Sequence, residues 1–215
     1  MLLNEFESKE MLRQAGIPVV ETRPAKTRQM AIEAAKQIGF PVVMKIASPD
    51  IVHKSDAGGV RLGLTNATQV GKAYRDIISS VKEKAPDAKI DGVTVQQTAK
   101  PGVEVIIGMN RDAQFGPVIM FGLGGILVEI LKDVSFRIVP LTRRDTAGMI
   151  REIKGYALLQ GVRGQPPVNV TALEELIVKI SEFIEKNPAV KELDLNPVIA
   201  SRDGAVAADA RIVLD

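Results

Sequence analysis

The segment PVVMKIASPDIVHKSDAGGVRLGL, residues 41–64, contains two apolar runs joined by a loop rich in charge and glycine. Short apolar runs bounded by such loops are typical of strands in a packed sheet. We therefore predict one strand over Pro41–Ile46 and a second over Val60–Leu64. The loop between them carries the single histidine of the chain, His53, and ends in the pair Gly58-Gly59. The fold class and the candidate chemistry both depend on this strand–loop–strand unit.

Capping residues and apolar periodicity predict helices on either side of this segment. One helix runs from Asn4 to Gly16, a second covers 28–38 and a third covers 67–84. The capping box Thr171/Glu174 starts another. Further strands are predicted at 93–97, 103–109, 117–121 and 135–139, before a closing hairpin of 193–200 and 205–214 that turns at Asp203-Gly204.

Strands that occur both singly between helices and as adjacent hairpins predict a mixed α+β (or α/β) fold. We expect one domain over 1–215 with two lobes. The first, residues 1–98, is an α/β lobe that holds the His53 loop. The second, residues 99–215, is rich in sheet and holds the closing hairpin.

The composition restricts the function classes. Lys and Arg total 28 against 26 Asp and Glu, a net charge of +2 that is too balanced to favour nucleic acid or an anionic membrane as the main partner. With no cysteine and one histidine, thiolate catalysis, disulfides and two-histidine metal sites are excluded. The acidic N-terminus resembles no signal peptide, so we expect a cytoplasmic protein.

Two candidate groups lie in the first lobe. Lys45 interrupts an apolar strand, where it either presents its ammonium to a phosphate or lies on the solvent face. His53 is either a nucleophile toward phosphorus or a surface histidine without a role. Gly58 and Gly59 allow backbone amides to approach an anion closely. Neither of the common glycine-rich nucleotide-binding patterns, GxxxxGK[ST] and GxGxxG, occurs in the chain.

Two further groups lie in the second lobe. The run Gly122-Leu123-Gly124-Gly125, followed by Glu129, Lys132 and Asp133, is either an anion nest or a tight bend. In the closing hairpin, Asp194 and Asn196 are two residues apart and face the same side of a strand, and Asp209 on the partner strand can lie across from them. These oxygen ligands suit Mg²⁺, although a wet polar face explains them equally well.

Taken together, these motifs resemble the ATP-grasp domain of the ADP-forming acyl-CoA synthetases, in particular the separate β subunit of the archaeal acetyl-CoA synthetases. The likeness to the β subunit of succinyl-CoA synthetase is more distant. The motifs are the Lys45 strand, the His53–Val60 loop, a strand end at Gln96-Gln97, Glu104, the segment Phe115–Leu141, the segment Gly161–Pro166 and the run Asp194–Pro197. The likeness extends over almost the whole chain.

The resemblance implies an ATP-grasp fold, in which two α+β lobes clamp a nucleotide, and it implies ATP/ADP and Mg²⁺ as cofactors. It also implies a role for each matching residue. Lys45 and Arg163 would contact nucleotide phosphates. Gln96 and Gln97 would lie beside adenine, and Glu104 would line the pocket. Asn196 and Asp209 would hold Mg²⁺, Asp194 would lie near the transferred phosphoryl group, and His53 would be phosphorylated.

The implied reaction converts acyl-CoA, ADP and phosphate into carboxylic acid, ATP and CoA. A CoA-binding α subunit is the expected partner, in an α₂β₂ heterotetramer, because no segment here resembles a CoA-binding domain and one histidine cannot serve two phosphorylation steps. Two alternatives stay open. One is a succinate- or malate-type acid–CoA ligase subunit, and the other is a non-catalytic nucleotide-sensing module of a regulatory protein.

Overall fold

The computed structural model describes residues 1–51, 53–125, 132–162, 164 and 166–215, which form two compact units. The N-terminal unit consists of Asn4–Phe6 and Val20–Thr98. The C-terminal unit consists of Met1–Leu3, Glu7–Val19 and Ala99–Asp215. The lobes drawn from the sequence, 1–98 and 99–215, place only residues 1–3 and 7–19 differently.

The N-terminal unit is a four-stranded antiparallel sheet covered by two helices. Its elements are β1 (Thr22–Ala25), α2 (Arg28–Ile38), β2 (Val42–Ala47), β3 (Val60–Leu64), α3 (Ala67–Lys84) and β4 (Gly92–Gln97), and α1 (Glu5–Gln14) begins in this unit. The strand order is β1-β4-β2-β3. The predicted strands at β2, β3 and β4 are confirmed to within a residue or two, whereas β1 was not predicted.

Capping explains why α2 and α3 begin where they do. The Thr27 hydroxyl accepts a hydrogen bond from the Met30 amide, and the Asn66 side chain accepts one from the Gln69 amide. Gly39 follows the end of α2 with a positive φ of 91°, a conformation that residues with a side chain rarely adopt. The apolar faces of both helices then pack on one face of the sheet, where Val70 and Ile77 are fully buried. Both helices occupy their predicted positions.

The C-terminal unit is a six-stranded antiparallel sheet with helices against its core face. Its strands are β5 (Val103–Asp112), β6 (Gly116–Leu123), β7 (Val134–Ile138), β8 (Val190–Ser201), β9 (Gly204–Ala207) and β10 (Arg211–Leu214). The order is β10-β8-β5-β6-β7, with β9 beside the second half of β8. The helices are α4 (Arg143–Glu152), α5 (Tyr156–Leu159) and α6 (Val170–Lys186). Every strand pair in both sheets is antiparallel, which makes the fold α+β.

Two details of the predicted elements are wrong. Helix α6 is capped by Asn169, whose side chain accepts from the Ala172 amide, and not by Thr171. Asparagine is at least as good a cap as threonine, and the Asn169 amide is already bonded to the Ser201 carbonyl. The second arm of the closing hairpin is not continuous either, because it breaks at 208–210 between β9 and β10.

Within the described part of the chain, no helix has the length and apolar character needed to cross a bilayer.

Candidate functional site

Lys45 lies on a polar face of the N-terminal sheet, opposite the apolar face that packs against α2 and α3. The polar residues of β1, β2 and β4 on this face are all nearly inaccessible: Thr22, Lys45, Thr94 and Gln96 are 3–7% exposed. Lys45 pairs in register with Thr94, whose hydroxyl is buried and has no hydrogen-bond partner among the described residues. Buried polar groups of this kind are costly unless they serve a ligand or a partner. The solvent-face reading of Lys45 is therefore wrong.

Glu5 at the start of α1 binds two lysines of this unit at once. Its Oε1 accepts from Lys45 Nζ at 3.0 Å, and its Oε2 accepts from Lys54 Nζ at 2.5 Å. Only 6% of the Glu5 side chain is exposed, so these ion pairs are shielded from water. Lys54 directly follows His53, and Glu5 therefore places the beginning of the His53 loop next to Lys45. Sequence reasoning used Glu5 only as part of a helix start, because its contacts are with residues forty and more positions away.

The two glycines of the His53 loop are required by close packing. A Cβ on Gly59 would lie 2.5 Å from Cγ2 of Ile46, and one on Gly58, at φ 69°, would lie 2.3 Å from Oγ of Ser80. The Gly59 amide donates to the Lys54 carbonyl at 2.7 Å, and the Gly58 amide donates to the Ser55 carbonyl. Both amides are thus used inside the loop. An anion-binding role of these glycines stays a prediction.

His53 itself is exposed on this loop. Its neighbour Val52, like Arg163, lies outside the described residues, so the predicted phosphate contact of Arg163 is left without structural description. At the end of β4, Gln96 and Gln97 point to opposite faces: Gln96 is buried beside the polar residues, whereas Gln97 is exposed and donates its amide to the Glu21 carbonyl. Their predicted place beside adenine stays a prediction.

In the C-terminal unit, Asp194 and Asn196 lie on the face of β8 opposite the core. Leu193 and Leu195 are buried, while Asp194 and Asn196 between and after them are exposed. A β-bulge follows at once: two residues of β8, Asn196 and Pro197, oppose one residue of β5, because Val105 pairs with Val198 and Ile107 with Leu195. Asn196 in the bulge is exposed, and the alternation of buried and less buried residues continues after it with Val198 and Ala200 in the core.

Asp209 lies in the break between β9 and β10, and not on the partner strand as predicted. Pro197 has no amide hydrogen to donate to a facing strand, and its carbonyl accepts a single bond from the Ala208 amide at 2.9 Å. The break lies opposite the bulge, since Ala207 pairs with Val198 and Arg211 with Asp194. Asp209 is thereby brought close enough to Asp194 for its charge to act on that carboxylate.

The surroundings of Asp194 shift the pKa of its carboxyl group. The surrounding protein removes water from it, which raises the pKa of Asp194 above the usual range, and the negative charge of Asp209 raises that pKa further. The guanidinium of Arg211, across the strand pair, opposes the rise. Lys9 of α1, fully buried and missed by sequence reasoning, donates to the Ala208 carbonyl at 2.9 Å and so supports the break that carries Asp209.

These residues fit the Mg²⁺ ion that the resemblance implies. Asp194 and Asp209 are two carboxylates that repel one another, and Asn196 offers an amide oxygen on the same face of β8 as Asp194. All are hard oxygen donors, and Mg²⁺ takes few protein ligands beside water and phosphate. Among the residues described, no cluster of three or more acidic or histidine side chains is gathered for a metal, so the site is sparse. The sparse set leaves coordination positions for phosphate oxygens.

The glycine-rich turn after β6 packs against Glu104. The Gly124 amide donates to the Glu104 carbonyl at 2.7 Å, and a Cβ on Gly124 would lie 3.1 Å from Glu104 atoms. The Glu104 side chain is exposed. Asp133, further along, has a structural task, since its carboxylate accepts from the Lys154 and Gly155 amides at 2.8 and 2.7 Å. Glu129 lies outside the described residues.

Comparison with known proteins agrees with this architecture. A family model described as an ATP-grasp domain matches residues 1–214. The β subunit of an ADP-forming acetate–CoA ligase (I) of Pyrococcus furiosus is 50% identical over 212 residues, which cover 99% of this chain and 91% of that protein.

Solved structures of a Candidatus Korarchaeum cryptofilum acetyl-coenzyme A synthetase 1, called dinucleotide forming, are also similar. The form in complex with coenzyme A, Ca-AMPCP and HgCl⁺ has a TM-score of 0.97 and 48% identity, over 100% of this chain and 93% of that one. A second form, in complex with coenzyme A and Mg-AMPPCP, has its phosphohistidine segment pointing towards the nucleotide-binding site. Its TM-score is 0.87 at 45% identity, with the same coverage.

The antiparallel two-unit architecture and the full-length match define an ATP-grasp domain. The high identity over nearly the whole length of both chains then narrows the class. The chain belongs to the family of the β subunits of ADP-forming acetate–CoA ligases.

Proposed function

We propose that this chain relays a phosphoryl group between a CoA-binding α subunit and ADP, with His53 as the carrier. The overall reaction converts acyl-CoA, ADP and phosphate into carboxylic acid, ATP and CoA. The observation that carries the proposal is the placement of the only histidine of the chain on an exposed loop that Glu5 ties to the buried Lys45. A cytoplasmic location remains the expectation from the sequence.

Two phosphoryl transfers take place on this chain. First, an imidazole nitrogen of His53 forms a bond to phosphorus as the phosphorus–nitrogen bond of the partner's phosphohistidine breaks. Second, a terminal oxygen of ADP forms a bond to that phosphorus as the bond to His53 breaks, which yields ATP and regenerates neutral His53. Such transfers depend on positioning and charge neutralisation more than on covalent chemistry of the protein.

The residues of each unit are assigned to these needs. Lys45 neutralises nucleotide phosphate, and the orphaned Thr94 hydroxyl on the same face is available to a ligand. Asn196 and Asp209 hold Mg²⁺, which when bound neutralises phosphate charge, and Asp194 orients the group being transferred. Gln96 and Gln97 contact adenine, Glu104 lines the pocket, and Arg163 contacts phosphate.

The partner is a CoA-binding α subunit, in an α₂β₂ assembly. The relative from Pyrococcus furiosus carries the designation subunit beta, and the synthetase from Candidatus Korarchaeum cryptofilum was solved in complex with coenzyme A. The composition of the chain supports the same proposal, because its one histidine can serve a single phosphorylation step.

Intact-mass spectrometry after incubation with Mg-ATP tests this proposal, with and without an added α subunit. The wild-type chain is expected to gain the mass of one phosphoryl group in an acid-labile form, and the His53→Asn variant is expected to gain none. A phosphorylated variant, or a wild-type chain that binds ATP and stays unmodified with the α subunit present, contradicts the proposal. The second result would favour a nucleotide-sensing module.

A further inference from the structure

The first turn of α1 and the His53 loop are joined by a bridge of three side chains, Lys45, Glu5 and Lys54. The two ion pairs use different oxygens of the Glu5 carboxylate, at 3.0 and 2.5 Å, so neither lysine displaces the other. The exposed fractions of the Lys45 and Lys54 side chains are 9% and 21%. Ion pairs so shielded are screened less by water and salt than surface pairs are. The Lys45–Glu5–Lys54 bridge therefore holds the His53 loop against the first turn of α1.

The second half of the same loop is held from another side. Lys84 and Ser80 of α3 donate to the carbonyls of Asp56 and Ala57 at 2.7 and 3.1 Å. Arg61 of β3 donates to the Gly58 carbonyl at 2.9 Å. These three contacts hold the residues after His53 against α3 and β3. The Glu5–Lys54 pair holds the residues next to His53.

We propose that Glu5 is a positioning residue for the phosphoryl carrier: through Lys54 it docks the front of the His53 loop beside Lys45. The role of His53 as carrier rests on the proposed function, whereas the docking itself does not. Loss of the Glu5–Lys54 pair releases the residues next to His53. The hydrogen bond from the Lys89 amide to the Asp50 carboxylate, ahead of them, and the anchors on α3, after them, stay in place. Phosphoryl transfer then slows, because His53 spends less time in the position in which it receives the phosphoryl group from the α subunit and passes it to ADP. Nucleotide affinity depends on Lys45 in the proposed function, and it should stay close to normal.

Hydrogen exchange of the loop amides measures directly whether the Glu5–Lys54 pair holds the loop in place. The amides of Ala57, Gly58 and Gly59 donate to carbonyls of His53, Ser55 and Lys54, so these bonds open when the front of the loop is released. The Lys54→Gln variant of the full chain removes the positive charge from the Glu5–Lys54 contact and retains the Glu5–Lys45 pair. We expect exchange of these amides to accelerate roughly tenfold, as loss of one charge-assisted contact predicts.

Three further variants control this experiment. Glu5→Gln should give the same acceleration, and Lys54→Arg should restore most of the protection because arginine also carries a positive charge. Glu10→Gln, on the same helix, removes an exposed pair with Arg13 and should leave the loop unchanged. Wild-type exchange in Lys54→Gln would overturn the proposal, even if Glu5→Gln fails to fold.

The functional readout is the rate of His53 phosphorylation, measured apart from ATP affinity. Lys54→Gln should slow phosphorylation about tenfold and change the Kd of ATP less than about twofold. An unchanged phosphorylation rate would overturn the positioning role. If wild-type His53 is never phosphorylated, the proposed function fails, and the exchange experiment still decides whether Glu5 docks the loop.

Discussion

Replacing Asp133 by alanine should destabilise the C-terminal unit strongly. Each carboxylate oxygen of Asp133 accepts one backbone hydrogen bond, from the Lys154 and Gly155 amides, at 2.8 and 2.7 Å. The side chain is buried, and the two amides precede the short helix α5. Each bond to a charged acceptor contributes about 1.5–3 kcal/mol. Because water can reach these amides in part, we expect a loss of about 2–4 kcal/mol in the free energy of unfolding.

Urea unfolding followed by circular dichroism measures this loss, and Asp112→Ala is the matched control. Asp112 likewise accepts two backbone bonds, from the Gln114 and Phe115 amides, but it is fully exposed. Its replacement should shift the urea midpoint much less than Asp133→Ala does. Equal shifts for both variants would refute the reasoning, since burial would then add nothing to the strength of two backbone hydrogen bonds to one carboxylate.

Three further changes have defined outcomes. The protein around Asp194 displaces water from it and, with the negative charge of Asp209, raises the pKa of this carboxyl, so its ionisation costs stability as pH rises through its titration range. Near about pH 7 Asp194→Asn should have a higher Tm than the wild type, with a gain of under about 1 kcal/mol in the free energy of unfolding, and this advantage should disappear below about pH 4. Gly59→Ala should cost about 1–3 kcal/mol in thermal unfolding, because the new Cβ would meet Ile46. Ile107→Ala, in the fully buried centre of β5, should cost about 2–5 kcal/mol in urea unfolding.

The parts of the fold that were predictable from the sequence are those with local signals. Helix α3 has both an N-cap and a long apolar stripe, and it was placed at its observed position. Helix α4 was missed although Thr142 and Asp145 form a capping box in the structure, because Met149 and Ile150 are its only large apolar residues and two adjacent residues show no helical repeat. Strand β1 was missed because Pro24 interrupts it, and an edge strand tolerates proline.

The residues of the candidate site likewise fall into those that the local sequence predicts and those that it does not. The alternation along β8 placed Asp194 and Asn196 on one face, which the burial pattern confirms. The position of Asp209 was wrong because it depends on a bulge, and a bulge is set by the pairing of distant strands. Glu5 and Lys9 act through contacts across 40–49 and 199 positions of the chain. Nothing in their local sequence predicts such contacts.

A chase experiment follows the phosphoryl group itself from His53 to ADP. The chain is phosphorylated together with the α subunit, using acyl-CoA and phosphate without nucleotide, and then isolated and mixed with ADP and Mg²⁺. We expect ATP in an amount equal to the phosphate lost from His53, and none from the His53→Asn variant. Release of free phosphate without ATP, or ATP formation by the variant, would contradict the proposed relay.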